Sequence, residues 1–151
     1  MFKLKIPPPV YTLSIAALMW FLHQWMPIAQ WLHEPWNMIG LFILAVGVSF
    51  DLWAIALFFK AKTTINPMKP DNSQELVDGG LYQYTRNPMY LGLLTNLLGF
   101  ALWLGSVTPL LGLPLFVVLL TTQQIIPEEI ILTKKFGQKY LDYKNRVRRW
   151  L

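Results

Sequence analysis

The chain has 151 residues, of which 54% are hydrophobic and 14% charged, against about 25% charged in a soluble domain. Mean hydropathy is +0.39 and the net charge is +5, so one all-α integral membrane bundle, a single domain over 1–151, is expected rather than a soluble core. The absence of cysteine excludes disulfides, thiolate catalysis and Cys-based metal or haem sites. His23 and His33 are too few for a self-contained metal cluster, so no metal site is expected.

Four apolar stretches suggest spans over about 10–28, 38–59, 89–104 and 109–126. A spanning helix needs roughly 17–25 residues. The first two fit, and the shorter last two, joined through Gly105-Ser106-Val107-Thr108, form a tight hairpin. The first stretch does not resemble a cleavable signal, since it follows Pro7-Pro8-Pro9 and no small-residue cleavage site follows it. Trp20, Trp25, Trp31 and Trp36 read as interfacial belt residues, with His23 and Gln24 near the same interface. Asp51 stands inside the second span. A carboxylate there must face the bundle, either as a functional group or paired with a polar residue such as Asn96.

The basic residues set the orientation. Lys3 and Lys5 precede the first span. Lys60, Lys62, Lys69 and Arg86 lie between the second and third, and seven more lie from Lys134 to Arg149. The segments 27–37 and 105–108 carry none. The positive-inside rule then places both termini and the loop 60–88 on the cytoplasmic side of a multi-pass protein, with a prokaryotic inner membrane as the expected location. The basic tail suits anionic lipid headgroups. Nucleic-acid binding, the rival for a basic stretch, does not fit a chain otherwise in lipid.

Loop 60–88 carries Pro67, Pro70 and Gly79-Gly80, and ends in Arg86-Asn87-Pro88-Met89-Tyr90. Asn87-Pro88 favours a turn, Pro88 can begin the third helix, and Tyr90 can anchor at the interface. Equally, Arg86 can clamp a carboxylate with a forked geometry that lysine lacks.

The fourth span ends "TTQQIIPEEI". Pro127 removes a helical hydrogen bond and frees the carbonyl of Gln123, so a kink or helix end is expected there. Glu128 and Glu129 follow at once. They read either as solvated acids at a helix start or as acceptors for a cation, hydroxyl or amino group. In the tail 127–151, Phe136, Tyr140, Tyr143, Val147 and Trp150 recur at spacings of 4, 3, 4 and 3. That pattern suggests an amphipathic helix on the membrane surface, separated from the fourth span by Gly137.

A basic fork and a carboxylate pair on one face of the bilayer suit a zwitterionic ligand. At these residues the chain resembles the isoprenylcysteine carboxyl methyltransferases and the related phospholipid N-methyltransferases. The resemblance rests on Gly80, Tyr82, Arg86, Pro88, Tyr90 and Gly92, then Glu128, Glu129, Leu132, Phe136, Gly137, Tyr140, Tyr143, Val147, Arg149 and Trp150. The pattern's usual histidine is Asn87 here, which can donate and accept hydrogen bonds but cannot titrate near neutrality. "NPMY" before a glycine resembles the phospholipid-methylating branch.

The resemblance implies an enzyme of the membrane that uses S-adenosylmethionine and releases S-adenosylhomocysteine. Its acceptor would be an amphiphilic small molecule or lipid: an isoprenylcysteine-type carboxylate, a phospholipid amine or another small apolar molecule. It also implies that Tyr82, Arg86, Asn87, Pro88, Tyr90, Glu128 and Glu129 surround the cofactor. Catalysis would rest on Arg86, which would hold the cofactor carboxylate, and on Glu129. The glutamates would accept from the cofactor's ribose or amino group.

Two other classes fit less of the sequence. A non-enzymatic four-helix lipid-binding or assembly protein explains the spans but not the joint spacing of Arg86 and the glutamates. A haem or quinone subunit would want paired histidines within helices, and His23 is alone within a span.

Overall fold

A computed structural model describes residues 6–60 and 76–151. Lys3, Lys5, Lys62, Lys69, Pro67 and Pro70 lie outside the described residues.

Helix α1 (Pro8–Trp25) begins on Pro8 at its first position, where a missing N–H costs nothing. Its inner face, Ile15 and Met19, packs onto the last apolar helix, where Gly112 leaves room: a Cβ there would come within 2.6 Å of Met19 Cγ. Helix α2 (Ile39–Lys60) and helix α3 (Pro88–Leu104) pair along glycines. A Cβ on Gly40 would sit 2.4 Å from the Gly99 carbonyl oxygen, and one on Gly99 would sit 2.6 Å from that of Gly40. Without a hydrophobic drive between helices in lipid, such close backbone approach is what holds a pair together.

Lower on the same pair, Asn96 Nδ2 donates to Asp51 Oδ2 at 2.9 Å. Gly47 and Gly92 make the room, since a Cβ on either would collide with Asn96 Oδ1 or Asp51 Oδ1. Asp51 therefore faces the bundle and pairs with Asn96.

Gly105 ends α3 with φ of 76°, and its carbonyl accepts the N–H groups of Trp31 and Leu32. After it the chain forms one helical rod from Thr108 to Phe136. The rod comprises α4 (Gly112–Leu120), a π-helical turn (Thr121–Ile125) and α5 (Ile126–Phe136). The helix thus continues past residue 126, where the sequence suggested a kink or a helix end. Pro127 cannot donate to Gln123, but the widened π turn just before it absorbs the proline and the helix continues.

Gly137, with φ of 55°, stops the rod, and α6 (Gln138–Arg146) follows. The amphipathic pattern of the tail is real, but its tyrosine face does not lie on lipid. Tyr140, Tyr143 and Val147 are buried with Tyr82 against Leu57, Leu76, Val77, Leu132 and Phe136. Val147 is already extended, so the helix ends before Trp150. Among the described residues no sheet forms; Thr85 and Arg148 make an isolated parallel bridge.

Among the described residues two helices, Trp36–Leu57 and Thr108–Phe136, are long and apolar enough to cross a bilayer. α3 has 17 residues, and α1, with 18, is less apolar than α2. Large apolar side chains stay exposed on every outer face: Leu13, Trp20 and Phe21 on α1, Phe42, Leu52 and Trp53 on α2, Leu115 and Val118 on α4. A soluble monomer rarely exposes so much contiguous apolar surface. Here it is the lipid-facing side of a membrane helical bundle.

Candidate functional site

The polar end of the bundle gathers three segments far apart in sequence. The first is Gly80–Tyr90, a 3-10 turn (Gly80–Gln83) leading into α3. Asn87 cannot continue a helix backwards because Pro88 fixes the start, so Arg86 and Asn87 lie at the mouth of the bundle. The second is the π turn and the first turn of α5, which present Gln124, Glu128 and Glu129. The third is the extended tail, Val147–Trp150, which returns across the other two.

Glu129 is the hub. Its side chain is 7% exposed. Arg149 forks onto it, Nε donating to Oε1 and Nη2 to Oε2, each at 2.9 Å. Arg86 Nη2 lies 3.2 Å from Oε1, and Lys144 Nζ lies 3.4 Å from Oε2. Hydrogen bonding to Glu129 raises the Arg149 pKa further above its ordinary value, so this cation never titrates.

Arg86 is as buried as its partner, at 8% exposed. Only its Nη2 meets the carboxylate; Nε and Nη1 are buried without a hydrogen-bond partner. Buried guanidinium donors are seldom left unmade, because each carries a desolvation cost. Around the single negative charge of Glu129 stand three positive ones, so the local balance favours an incoming anion.

Glu128 has a separate environment. The Tyr90 hydroxyl donates to its Oε1 at 2.6 Å and Gln124 Nε2 donates to the same atom at 2.7 Å. The two adjacent glutamates therefore differ: one is bound by cations, the other by neutral donors.

Asn87 Nδ2 donates to the Arg149 carbonyl at 2.9 Å, Thr85 Oγ1 donates to the same oxygen at 3.3 Å, and the Arg86 N–H donates to the Arg148 carbonyl at 2.9 Å. Tyr82 lies one layer below, where the Tyr143 hydroxyl donates to its carbonyl at 2.8 Å. Burial pushes the phenols of Tyr82 and Tyr143 far above their ordinary range and Tyr140 to about 12. All three remain neutral. Pro88 is fully buried as the first residue of α3.

The structure thus brings Arg86, Asn87, Tyr90, Glu128 and Glu129 to one end of the bundle, with Tyr82 beneath. Sequence reasoning did not single out Gln124, Lys144 or Arg149 as partners of the glutamates. Arg149 stood in the motif, but its partner depends on the tail's return. Glu129, already gripped by cations, is not a free acceptor for a ribose or amino group. Beside it an open groove of about 440 Å³ runs along Ile126, Ile130 and Thr133, rimmed by Lys134, Lys144 and Arg149.

An uncharacterised protein of Haemophilus influenzae is 48% identical over 63 residues, 42% of this chain and all of that protein. No solved structure matches the chain. The family described as phospholipid methyltransferase matches residues 36–139, more than half of the chain, including Arg86, Tyr90, Glu128 and Glu129. The chain belongs to the phospholipid methyltransferase family, membrane methyltransferases.

Proposed function

We propose that the protein transfers a methyl group from S-adenosylmethionine to an amphiphilic or lipid-like acceptor at the cytoplasmic face of the membrane. The acceptor is an isoprenylcysteine-type carboxylate, a phospholipid amine or another small apolar molecule. The observation that carries the reading is Arg86: a nearly buried guanidinium with two unpartnered nitrogens, in a cluster with surplus positive charge. Such free guanidinium donors fit a carboxylate, since charge-assisted hydrogen bonds are the strong ones.

Arg86 holds the cofactor carboxylate through its free N–H groups. Glu128, oriented by Tyr90 and Gln124, accepts from the amino or hydroxyl groups. Glu129 does not bind the cofactor directly; it anchors Arg86 from behind. Bound there, the cofactor supplies a methyl group on a sulfonium, whose charge is lost as the methyl leaves. The chain's contribution is alignment on groups held away from solvent: the Arg86 and Glu129 side chains are 8% and 7% exposed, beside the buried Pro88, Tyr90 and Pro127. Lys60, Arg86 and the basic tail support the cytoplasmic side for this end by the positive-inside rule, and Leu13, Phe42 and their neighbours keep the acceptor's medium, lipid, in contact with the bundle.

The test is calorimetric titration of S-adenosylmethionine into the detergent-purified full chain. Micromolar binding that is lost in Arg86→Ala is expected. No binding by a well-folded wild type, with lipid present, contradicts the reading and favours a non-enzymatic lipid-binding protein.

A further inference from the structure

We propose that the groove beside Glu129 is a lipid site. It holds one acidic phospholipid of the surrounding bilayer, with the headgroup phosphate between Lys134 and Lys144 and an acyl chain along Ile126 and Ile130. This lipid is not the methyl acceptor, and the site does not depend on the cofactor assignment above.

The lining changes character along α5. Ile126, Ile130 and Lys134 are spaced four apart, which places them on one helix face, and all three line the groove. Ile126 follows directly on the π turn of the rod that is apolar enough to cross a bilayer. Lys134 lies about 12 Å further along the axis, in the last turn. The face therefore runs from apolar to basic in the direction that leaves the bilayer. A phospholipid has the same order, from chain to headgroup.

Charge selects the headgroup. Lys134, Lys144 and Arg149 line the groove together with a single acid, Glu129. That acid already meets Arg149 at 2.9 Å, Arg86 at 3.2 Å and Lys144 at 3.4 Å. The ammonium of a zwitterionic lipid would find no free acid in the groove, so the site favours a headgroup whose only charge is its phosphate. Both lysines can reach one. Lys134 is exposed and makes no ion pair among the described residues. The Lys144 side chain is 38% exposed, and its one contact to Glu129 leaves further donors on the ammonium. Lysine suits this role because it binds phosphate as a point charge. Lys134 comes from α5 and Lys144 from α6, so one phosphate bridges the two helices across Gly137.

The experiment is native mass spectrometry of the full chain released from a non-ionic detergent, with phosphatidylglycerol and phosphatidylcholine of identical acyl chains offered together. One bound phosphatidylglycerol per chain is expected, favoured about tenfold or more over phosphatidylcholine. Lys134→Ala/Lys144→Ala should abolish that preference. Lys134→Ala alone, which leaves every contact of Glu129 in place, should lower it about threefold or more. Lys135→Ala/Lys139→Ala removes the same charge from residues outside the groove and should change it by less than about twofold. Equal binding of the two lipids, or equal losses in the two double variants, would mean diffuse attraction to the basic tail and overturn the proposal. Displacement of the lipid by an equal concentration of glycerol phosphate would overturn it too, because the acyl chain would then contribute nothing. Displacement by S-adenosylmethionine would give the groove to the cofactor and overturn it as well. A chain that binds the lipid but not S-adenosylmethionine overturns the function proposed above and leaves this site standing.

Discussion

The two polar ends of the bundle solve different problems. At one end His23 Nδ1 meets Ser106 Oγ at 2.8 Å, Gln30 donates to the Leu104 carbonyl, Asn37 to that of Trp103 and Thr108 to that of Met26. These bonds are mostly to backbone, and no ion pair is present there among the described residues. They fix where the chain turns. At the other end Glu129 stands among Arg86, Lys144 and Arg149, and Arg86 retains unpartnered nitrogens. The first end is anchored by bonds within the chain. The second gathers three cations around Glu129 and leaves Arg86 nitrogens unpartnered, as the proposed binding of an anionic group there requires.

Substitutions sharpen or break that contrast. The largest effect is expected from Arg86→Ala, which should cost about 3–5 kcal/mol of cofactor affinity, as for other buried charge partners. Titration calorimetry reads it, and Arg149 and Lys144 still neutralise Glu129, so the fold should survive. Gly99→Leu should leave the charged cluster intact but force α2 and α3 apart. Its neighbours are the Gly40 carbonyl and the Leu44 N–H, backbone that cannot move aside, so a loss of about 3 kcal/mol in unfolding free energy is expected. A denaturation midpoint equal to wild type would contradict the close pairing.

Tyr143→Phe removes the bond to the buried Tyr82 carbonyl and should cost about 1–2 kcal/mol. Ser106→Ala should cost about 1 kcal/mol of stability and leave S-adenosylmethionine affinity unchanged. Weakened binding in Ser106→Ala would mean that the two ends are coupled rather than separate.

Much of the plan is legible in the sequence because the bilayer imposes simple rules. Asp51 had to face the bundle, and Asn96 was within reach. Arg86 and the two glutamates could be grouped because they share one side of the membrane. Other features were hidden for physical reasons. Pro127 obeys a local rule that predicts a break, yet the π turn at Thr121–Ile125 carries the helix past it, and no local pattern announces that turn. The spacing of Tyr140 and Tyr143 marks an apolar face but cannot say whether lipid or protein covers it; Tyr82 does. The fork of Arg149 on Glu129 depends on the tail's return, a long-range event set by the bonds from Thr85, Arg86 and Asn87.

The most direct test of the central claim is transfer of a labelled methyl group. Purified wild type and Arg86→Ala would be incubated with methyl-labelled S-adenosylmethionine and a bacterial membrane lipid extract, and label counted in the organic phase. A methyltransferase whose cofactor carboxylate rests on Arg86 predicts labelled lipid-soluble product with wild type and background counts with the variant. Equal counts in the two, or none with a wild type shown to bind the cofactor and supplied with each proposed acceptor class, would contradict it.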